Sequence, residues 1–267
     1  MPTPDRSAAA TVAVWPHPAA QALGRLVTGV IGGEVRTVEP WAAAAALADR
    51  TADVALVPSL QVLRQPDAFS LVPGAGLSGV ASPSRVLAIG VGLDEVETVA
   101  FDPRDGQDAL LAQLVLREHF DRRPAFVPVE SAGLSAVSEH GAALVPFDAE
   151  IPEGVFRLDL GREWADLTTR PMAWGLLASR PGAMPPPIAR ALHQAAIESG
   201  DPTGDGDFQL SLAGLGYDGL EALADHLFYT GTLSAIPELP FVAIEDEEDE
   251  SPDALDLLAA GGLPEGE

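Results

Sequence analysis

The sequence predicts an α/β protein of two lobes with a cleft between them, and three observations support this. Short apolar runs suited to buried strands alternate with helical repeats over the first 60 residues, in the order β–α–β–α–β. Such alternation favours a parallel, doubly wound sheet. The same alternation starts again near Glu97. The length of 267 residues is close to that of two domains, at about 150 residues each.

The first unit opens with a strand and a helix that are both marked by their flanking residues. Val12 to Trp15 is a short apolar run bounded by Pro16 and Pro18, which indicates a buried strand. Ala20 to Val30 repeats apolar side chains every three or four positions, which predicts a helix. The further elements predicted in this unit are strands at 34–38, 53–57, 69–72 and 86–91 and helices at 41–49 and 59–63.

The second unit begins with a strand at Thr98 to Phe101 and a helix at Gln107 to Phe120. Later strands are predicted at 125–129, 142–145 and 156–158. The apolar run Met172 to Ala178 then leads the chain back to the first unit, which helices at 188–198 and 219–228 complete. We therefore assign residues 10–95 and 180–240 to the first lobe and residues 96–179 to the second.

Residues 245–267 form an acidic segment that is predicted to be a disordered tail. The segment holds ten acidic and no basic residues, and the rest of the chain still carries a net charge of −15 out of −25. Such a surface excludes nucleic acid and anionic membranes as partners, since both need a basic face. Adaptation to a high-salt cytoplasm and an ordinary solvated acidic surface both explain the charge, and the tail is also a candidate interaction segment.

Two absent residue types narrow the chemistry. The chain has no Cys, which excludes disulfides, zinc–thiolate sites and thiol nucleophiles. All 15 basic residues are Arg, so neither a Schiff-base lysine nor a P-loop lysine is available. No apolar stretch approaches the roughly 20 residues that span a bilayer, and no export signal precedes the first strand. The sequence therefore predicts a cytoplasmic protein without membrane insertion.

Several motifs, in this order along the chain, resemble the chorismate dehydratase family of menaquinone biosynthesis. Ala52 to Ser59 (ADVALVPS) is similar to the family's DVALIPS strand and turn. Thr98 to Asp102, followed by Ala109 to Phe120, is similar to a second strand and helix, and Phe126 to Pro128 to the strand after it. Asp159 to Ala178 is similar to the family's DLGxxWxxxTGLPFVFAVWA.

The resemblance covers roughly residues 10–235 and implies a fold and an activity. The fold is that of the type II periplasmic binding proteins, two α/β lobes with the ligand in the cleft. The activity is that of a hydro-lyase of the futalosine pathway, which eliminates water from chorismate to give 3-enolpyruvylbenzoate. The family needs neither a metal nor an organic cofactor, so the implied partner is a small anionic metabolite resembling chorismate. The oligomeric state stays open.

The sequence departs from the family where the family binds its ligand. The family's first strand ends in SYLN, whose Asn reaches the ligand, whereas this chain reads Trp15-Pro16-His17-Pro18. His17 is a candidate proton carrier or donor in place of that Asn, or an ordinary loop residue. The family's RSVLLFS strand is matched by Ser84-Arg85-Val86, which moves the serine by one position and thus to the opposite face of a strand.

A third motif, the family's SSRTS at a helix start, is replaced by residues 104–108 (RDGQD). Asp105 and Asp108 have the spacing of a capping box, which would occupy the free N–H groups of the helix. Each carboxylate would also repel an anionic ligand by about 2–4 kcal/mol at an effective dielectric of about 20. Arg85 and Arg104 offset this repulsion if both face the cleft. The candidate substrate-binding residues are Ser59, Ser84, Arg85, Arg104, Gln107 and Asp148, with no metal ligands.

Two functions of different classes therefore remain open. The first is a dehydratase that binds chorismate in the cleft, excludes water on closure and orients the ring for elimination. The second is a non-catalytic carboxylate-binding protein on the same scaffold, since the family's ligand-reading Asn and Ser are both absent.

Overall fold

A computed structural model describes residues 9–244. The predicted tail at residues 245–267 lies outside the described residues. Within residues 9–244, no helix combines the length and the apolar character needed to cross a membrane.

The described chain forms eleven strands and eight α-helices, numbered in chain order. The strands are β1 (Thr11–Val14), β2 (Glu34–Thr37), β3 (Val54–Pro58), β4 (Ser70–Gly79), β5 (Arg85–Ile89), β6 (Thr98–Phe101), β7 (Ala125–Pro128), β8 (Gly141–Pro146), β9 (Phe156–Leu158), β10 (Met172–Ser179) and β11 (Phe208–Ser211). The helices are α1 (Pro18–Ile31), α2 (Ala43–Ala48), α3 (Ser59–Arg64), α4 (Gly106–Glu118), α5 (Leu134–His140), α6 (Leu160–Thr168), α7 (Pro186–Glu198) and α8 (Leu215–Tyr229).

The first lobe is built on a six-stranded sheet in the order β11-β4-β10-β3-β1-β2. β1 lies parallel to β2 and β3, as the β–α–β–α–β order predicts, with Val12 opposite both Val35 and Val54. β10 is antiparallel to β3 and to β4, and β11 is antiparallel to β4. The parallel half of the sheet is therefore formed by β1 to β3, whereas the antiparallel half joins β4 of the same N-terminal unit to β10 and β11, which come later in the chain.

The second lobe is built on a five-stranded sheet in the order β7-β6-β8-β5-β9. β6 is parallel to β7 and β8, while β5 is antiparallel to β8 and β9. Arg85 at the start of β5 lies opposite Pro146 at the end of β8. This edge of the sheet thus gathers the carboxyl ends of β6 and β8, where ligands bind in open α/β sheets. The predicted two-lobed α/β fold is confirmed.

The chain changes sheets between residues 79 and 85, and again between residues 158 and 172. Both changes come earlier than the lobe boundaries predicted at residues 95 and 179, because β5 pairs in the second sheet and β10 pairs in the first. Apolar runs alone do not show which sheet a strand joins, since pairing depends on tertiary contacts.

Three elements were not predicted, namely α5, α6 and β11. β11 is a four-residue edge strand (FQLS) with alternating burial, too short to stand out as a pattern. α6 begins at the N-cap Asp159, whose side chain accepts hydrogen bonds from the backbone N–H groups of Gly161 and Arg162. The sequence of α6 is part of a motif similar to the family's. Its buried face contains only Leu160, Gly161 and Trp164, so the apolar pattern did not predict a helix.

One hydrophobic core runs through both lobes. Alternate residues of β5 point to opposite faces of the second sheet, as the period of a strand requires. Leu87 and Ile89 join a cluster that continues into the first lobe, whereas Val86 and Ala88 join a smaller cluster with Val137 of α5. The lobes therefore share buried surface on the side of the second sheet that faces the first.

The two connections between the lobes touch each other at the start of α6. Gly161 packs so closely against the other connection that an added Cβ would lie 2.6 Å from the carbonyl carbon of Ala81. We expect Gly161→Ala to lower the free energy of unfolding by about 1–3 kcal/mol, because backbone must shift to admit the methyl group. The measurement is chemical denaturation followed by circular dichroism.

Gly29→Ala in α1 is the matched control, since nothing lies within 4 Å of its added Cβ. Alanine there is expected to raise the free energy of unfolding by about 0.5–1 kcal/mol through helix propensity alone. Equal effects of the two substitutions would contradict the close contact at Gly161.

Candidate functional site

A cavity of about 460 Å³ lies between the lobes. It is bordered by the segments that follow β1 and β2 in the first lobe, and by the segments that precede β5 and follow β6 and β8 in the second. The cavity therefore sits outside the ends of strands in both sheets, at the expected position for a ligand. Its charged lining residues are Arg85 and Arg104 together with Glu39, Asp102, Asp105 and Asp148.

Arg85 is held in the cavity wall by a two-pronged ion pair. Its Nε donates to Oδ2 of Asp105 at 2.8 Å and its Nη2 donates to Oδ1 at 3.1 Å. Asp105 occupies the N-cap position of α4 but makes no capping hydrogen bond with its side chain. The predicted capping function of Asp105 is therefore wrong, because Arg85 of β5 takes both carboxylate oxygens.

Arg104 repeats this arrangement on the neighbouring segment. Its Nε donates to Oδ1 of Asp102 at 2.9 Å and its Nη2 donates to Oδ2. The hydrogen bond from Arg104 is the main reason that the pKa of Asp102 lies well below its ordinary range. The guanidinium carbon also lies 5.5 Å from the ring centroid of Trp41 in the first lobe, a cation–π contact that spans the cleft.

Ser84 and Asp108 form a third polar pair at the same edge. The Ser84 hydroxyl donates to Oδ1 of Asp108 at 2.6 Å. Asp108 is only 4% exposed, and burial is the main cause that raises its pKa to about 7, with the charge of Asp105 adding to it. The sequence predicted that Asp108 would close a capping box. Its carboxyl instead accepts a hydrogen bond from Ser84, so that prediction is wrong.

A second cavity of about 210 Å³ adjoins the first and shares Ser84, Trp41, Arg104 and Asp105 with it. Gln107 lines this second cavity, but both ends of its side chain are engaged. Oε1 accepts from the backbone N–H of Leu60 at 2.9 Å, and Nε2 donates to the carbonyl of Trp174 at 2.8 Å. Gln107 thus fastens α4 of the second lobe to the first lobe.

Two of the residues singled out from the sequence are not among those that line either cavity. Ser59 is fully buried, and its hydroxyl donates to the carbonyl of Ala173 at 2.6 Å, which ties α3 to β10. His17 caps α1 by accepting from the N–H of Ala19 through Nδ1. Its ring packs against Phe147 and Phe208, and burial lowers the pKa of this imidazole.

The structure thus brings four of the predicted residues together in the larger cavity: Ser84, Arg85, Arg104 and Asp148. Sequence reasoning missed the cavity residues Glu39, Trp41 and Asp102. Asp102 carried a usable signal, since it follows β6 directly at the carboxyl end of a parallel strand. Glu39 and Trp41 carried none, because their approach to the second lobe depends on how the lobes pack. Among residues 9–244, no group of three or more His, Asp or Glu side chains is placed to hold a metal ion.

Comparison with solved structures defines the class of fold. The chain resembles protein AF1704 of Archaeoglobus fulgidus, with a TM-score of 0.58 and 15% identity over 84% of this chain and 98% of that chain. It also resembles the alkanesulfonate-binding protein SsuA of Xanthomonas axonopodis pv. citri bound to MOPS, with a TM-score of 0.54 and 16% identity over 86% and 94% of the two chains. The fold is that of the periplasmic substrate-binding proteins.

The family follows from the sequence itself. The profile described as menaquinone biosynthesis matches residues 18–204, which is more than half of the chain. The chain therefore belongs to the menaquinone biosynthesis family, as its motifs indicated. No curated protein matches the sequence.

Proposed function

We propose that the chain is a chorismate dehydratase-like hydro-lyase that holds a dicarboxylate in the larger interlobe cavity. One observation carries the proposal: two guanidinium groups line the same cavity of about 460 Å³, each with a free edge. Asp105 and Asp102 both bind their arginines through the Nε–Nη2 edge. Among the described residues, nothing hydrogen-bonds to the Nη1 atom of Arg85 or of Arg104.

A guanidinium group binds a carboxylate in a fork of two parallel hydrogen bonds, and its Nη1–Nη2 edge offers such a fork. The aspartates hold the two side chains in place, so less conformational freedom is lost when a ligand binds. Chorismate carries two carboxylates, one for each free edge. Closure of the lobes would exclude bulk water and orient the ring, and the elimination then yields an aromatic product.

The test is incubation of the purified protein with chorismate at high salt, followed by absorbance and mass spectrometry. The expected product is 3-enolpyruvylbenzoate, formed at a rate proportional to protein concentration and absent from a boiled sample. Failure to form this product with a correctly folded protein would overturn the dehydratase proposal.

The alternative is a non-catalytic binding protein, and the replacement of the family's ligand-reading Asn by the segment 15–18 favours it. Four carboxylates and two guanidinium groups line the larger cavity, so that its wall has a net charge of −2 before any ligand enters. This charge opposes the binding of a carboxylate in either function. A binding protein would show a rise in Tm with chorismate or another carboxylate and no product. The absence of both a Tm shift and a product would reject both candidates.

A further inference from the structure

We propose that Ser84 and Asp108 form a proton relay that delivers a proton into the interlobe cleft. This proposal rests on the proposed dehydratase function. Ser84 lines both cavities, whereas Asp108 lines only the smaller one. Their side-chain oxygens lie 2.6 Å apart. The hydroxyl of Ser84 therefore connects the carboxyl of Asp108 with the larger cavity.

The protonation state of Asp108 sets the direction of this hydrogen bond. When Asp108 is ionised it can only accept, so Ser84 must point its O–H toward the carboxylate. When Asp108 is protonated it can donate to Ser84 Oγ, which frees the serine O–H to donate into the cavity. The serine hydroxyl is thus a donor to a ligand only while Asp108 holds its proton.

The charged groups around Asp108 are compatible with a neutral carboxyl near pH 7. Arg85 of β5 favours the ionised form, while burial and Asp105 at the start of α4 oppose it more strongly and raise the pKa of Asp108 to about 7. Arg64 of α3 and Arg104 line the same small cavity. The helix α6 also packs against α4. Its Glu163 lies 3.6 Å from His119, the residue that follows the C-terminal end of α4, whereas Asp108 lies in the first turn of α4.

In the dehydration, the relay would act on the leaving hydroxyl group. Ser84 gives its proton to that hydroxyl and takes the proton of Asp108, while the C–O bond breaks and its electron pair leaves with the oxygen as water. The adjacent ring carbon loses its proton to a water molecule enclosed in the cleft with the ligand, and the C–H electron pair becomes the new ring double bond. Solvent then returns a proton to Asp108, so the sum is the loss of one water molecule.

The experiment measures the pH profile of chorismate dehydration for the wild type, Asp108→Asn and Ser84→Ala. The wild-type kcat is expected to fall above pH 7 as Asp108 ionises. Asp108→Asn keeps the shape of the side chain and a donor to Ser84, so kcat is expected to drop by roughly 10²- to 10⁴-fold with the pH midpoint lost and KM little changed. Ser84→Ala is expected to lose kcat similarly.

The matched control is Glu163→Gln. Glu163 is a second carboxyl whose pKa is raised by burial, but it lies outside both cavities. The kcat and pH profile of this variant are expected to match those of the wild type.

An infrared titration of the carboxyl band measures the Ser84–Asp108 pair directly. In Ser84→Ala the titration midpoint of Asp108 should rise, because its ionised form loses a hydrogen bond.

Two results would overturn the relay. If the wild type is active and Asp108→Asn retains kcat and the pH midpoint, the relay is wrong and the dehydratase proposal stands. If the wild type forms no product, the dehydratase proposal fails and the catalytic function of the pair fails with it.

Discussion

Arg85→Ala is expected to lower kcat/KM for chorismate by roughly 30- to 5,000-fold, because losing one partner of a hydrogen-bonded charge pair costs about 2–5 kcal/mol. The substitution also removes the partner of Asp105, whose side chain is 9% exposed. An unpaired carboxylate at that burial repels an anionic ligand, so both effects act in the same direction. Steady-state kinetics, with calorimetric binding of chorismate as a second readout, measure the loss.

Two further variants distinguish the contribution of the paired guanidinium hydrogen bonds of Arg85 from that of its positive charge. Arg85→Lys keeps the positive charge but cannot offer one edge to Asp105 and another to a ligand, so most of the loss should remain. Arg162→Ala removes another Arg–Asp ion pair, in which Nη2 of Arg162 lies 2.7 Å from Oδ2 of Asp207. The side chain of Arg162 is 57% exposed and lies outside the cavity. The substitution is expected to change neither kinetics nor stability by more than about 1 kcal/mol. Wild-type affinity in Arg85→Ala would refute the anchoring function.

The fold was largely predictable because its signals are local. The run at 52–59 contains a buried apolar strand, then a proline and a serine that begin a helix, and the structure has β3 and α3 there. Hydrophobic periodicity and proline placement act over a few residues, so they are visible without any partner. The sheet to which β5 belongs was not visible, because that choice depends on which strands it meets after the chain crosses.

The candidate site was less predictable, because tertiary contacts override local rules there. Asp105 stands where a capping residue belongs, yet its carboxylate binds Arg85, 20 positions earlier in the chain. Asp108 has capping-box spacing, yet Ser84 binds it. In both cases a stronger partner arrives from β5 or the segment before it, and no local pattern indicates that approach. Both arginines were found where the sequence departs from two motifs of the family, but their pairing with aspartates was not predicted.

Asp108 is also expected to make the protein less stable as the pH rises from about 4 to 7. Burial raises the pKa of this carboxyl to about 7 in the folded protein, whereas an unfolded chain has an Asp pKa of about 3.9. Between these values the folded protein holds a proton that the unfolded chain has released, so the free energy of unfolding falls with pH. Below about pH 4 and above about pH 7 this group adds no further slope.

The comparison of Asp108→Asn with the wild type isolates this contribution, since all other titrating groups are common to both proteins. The amide does not titrate, so the free energy of unfolding of the variant relative to the wild type should rise by about 4 kcal/mol between pH 4 and pH 8. Denaturation at fixed high salt across this range measures the difference. A difference that stays constant with pH would show that Asp108 is ionised throughout, and the hydrogen bond from Ser84 would then always point toward the carboxylate.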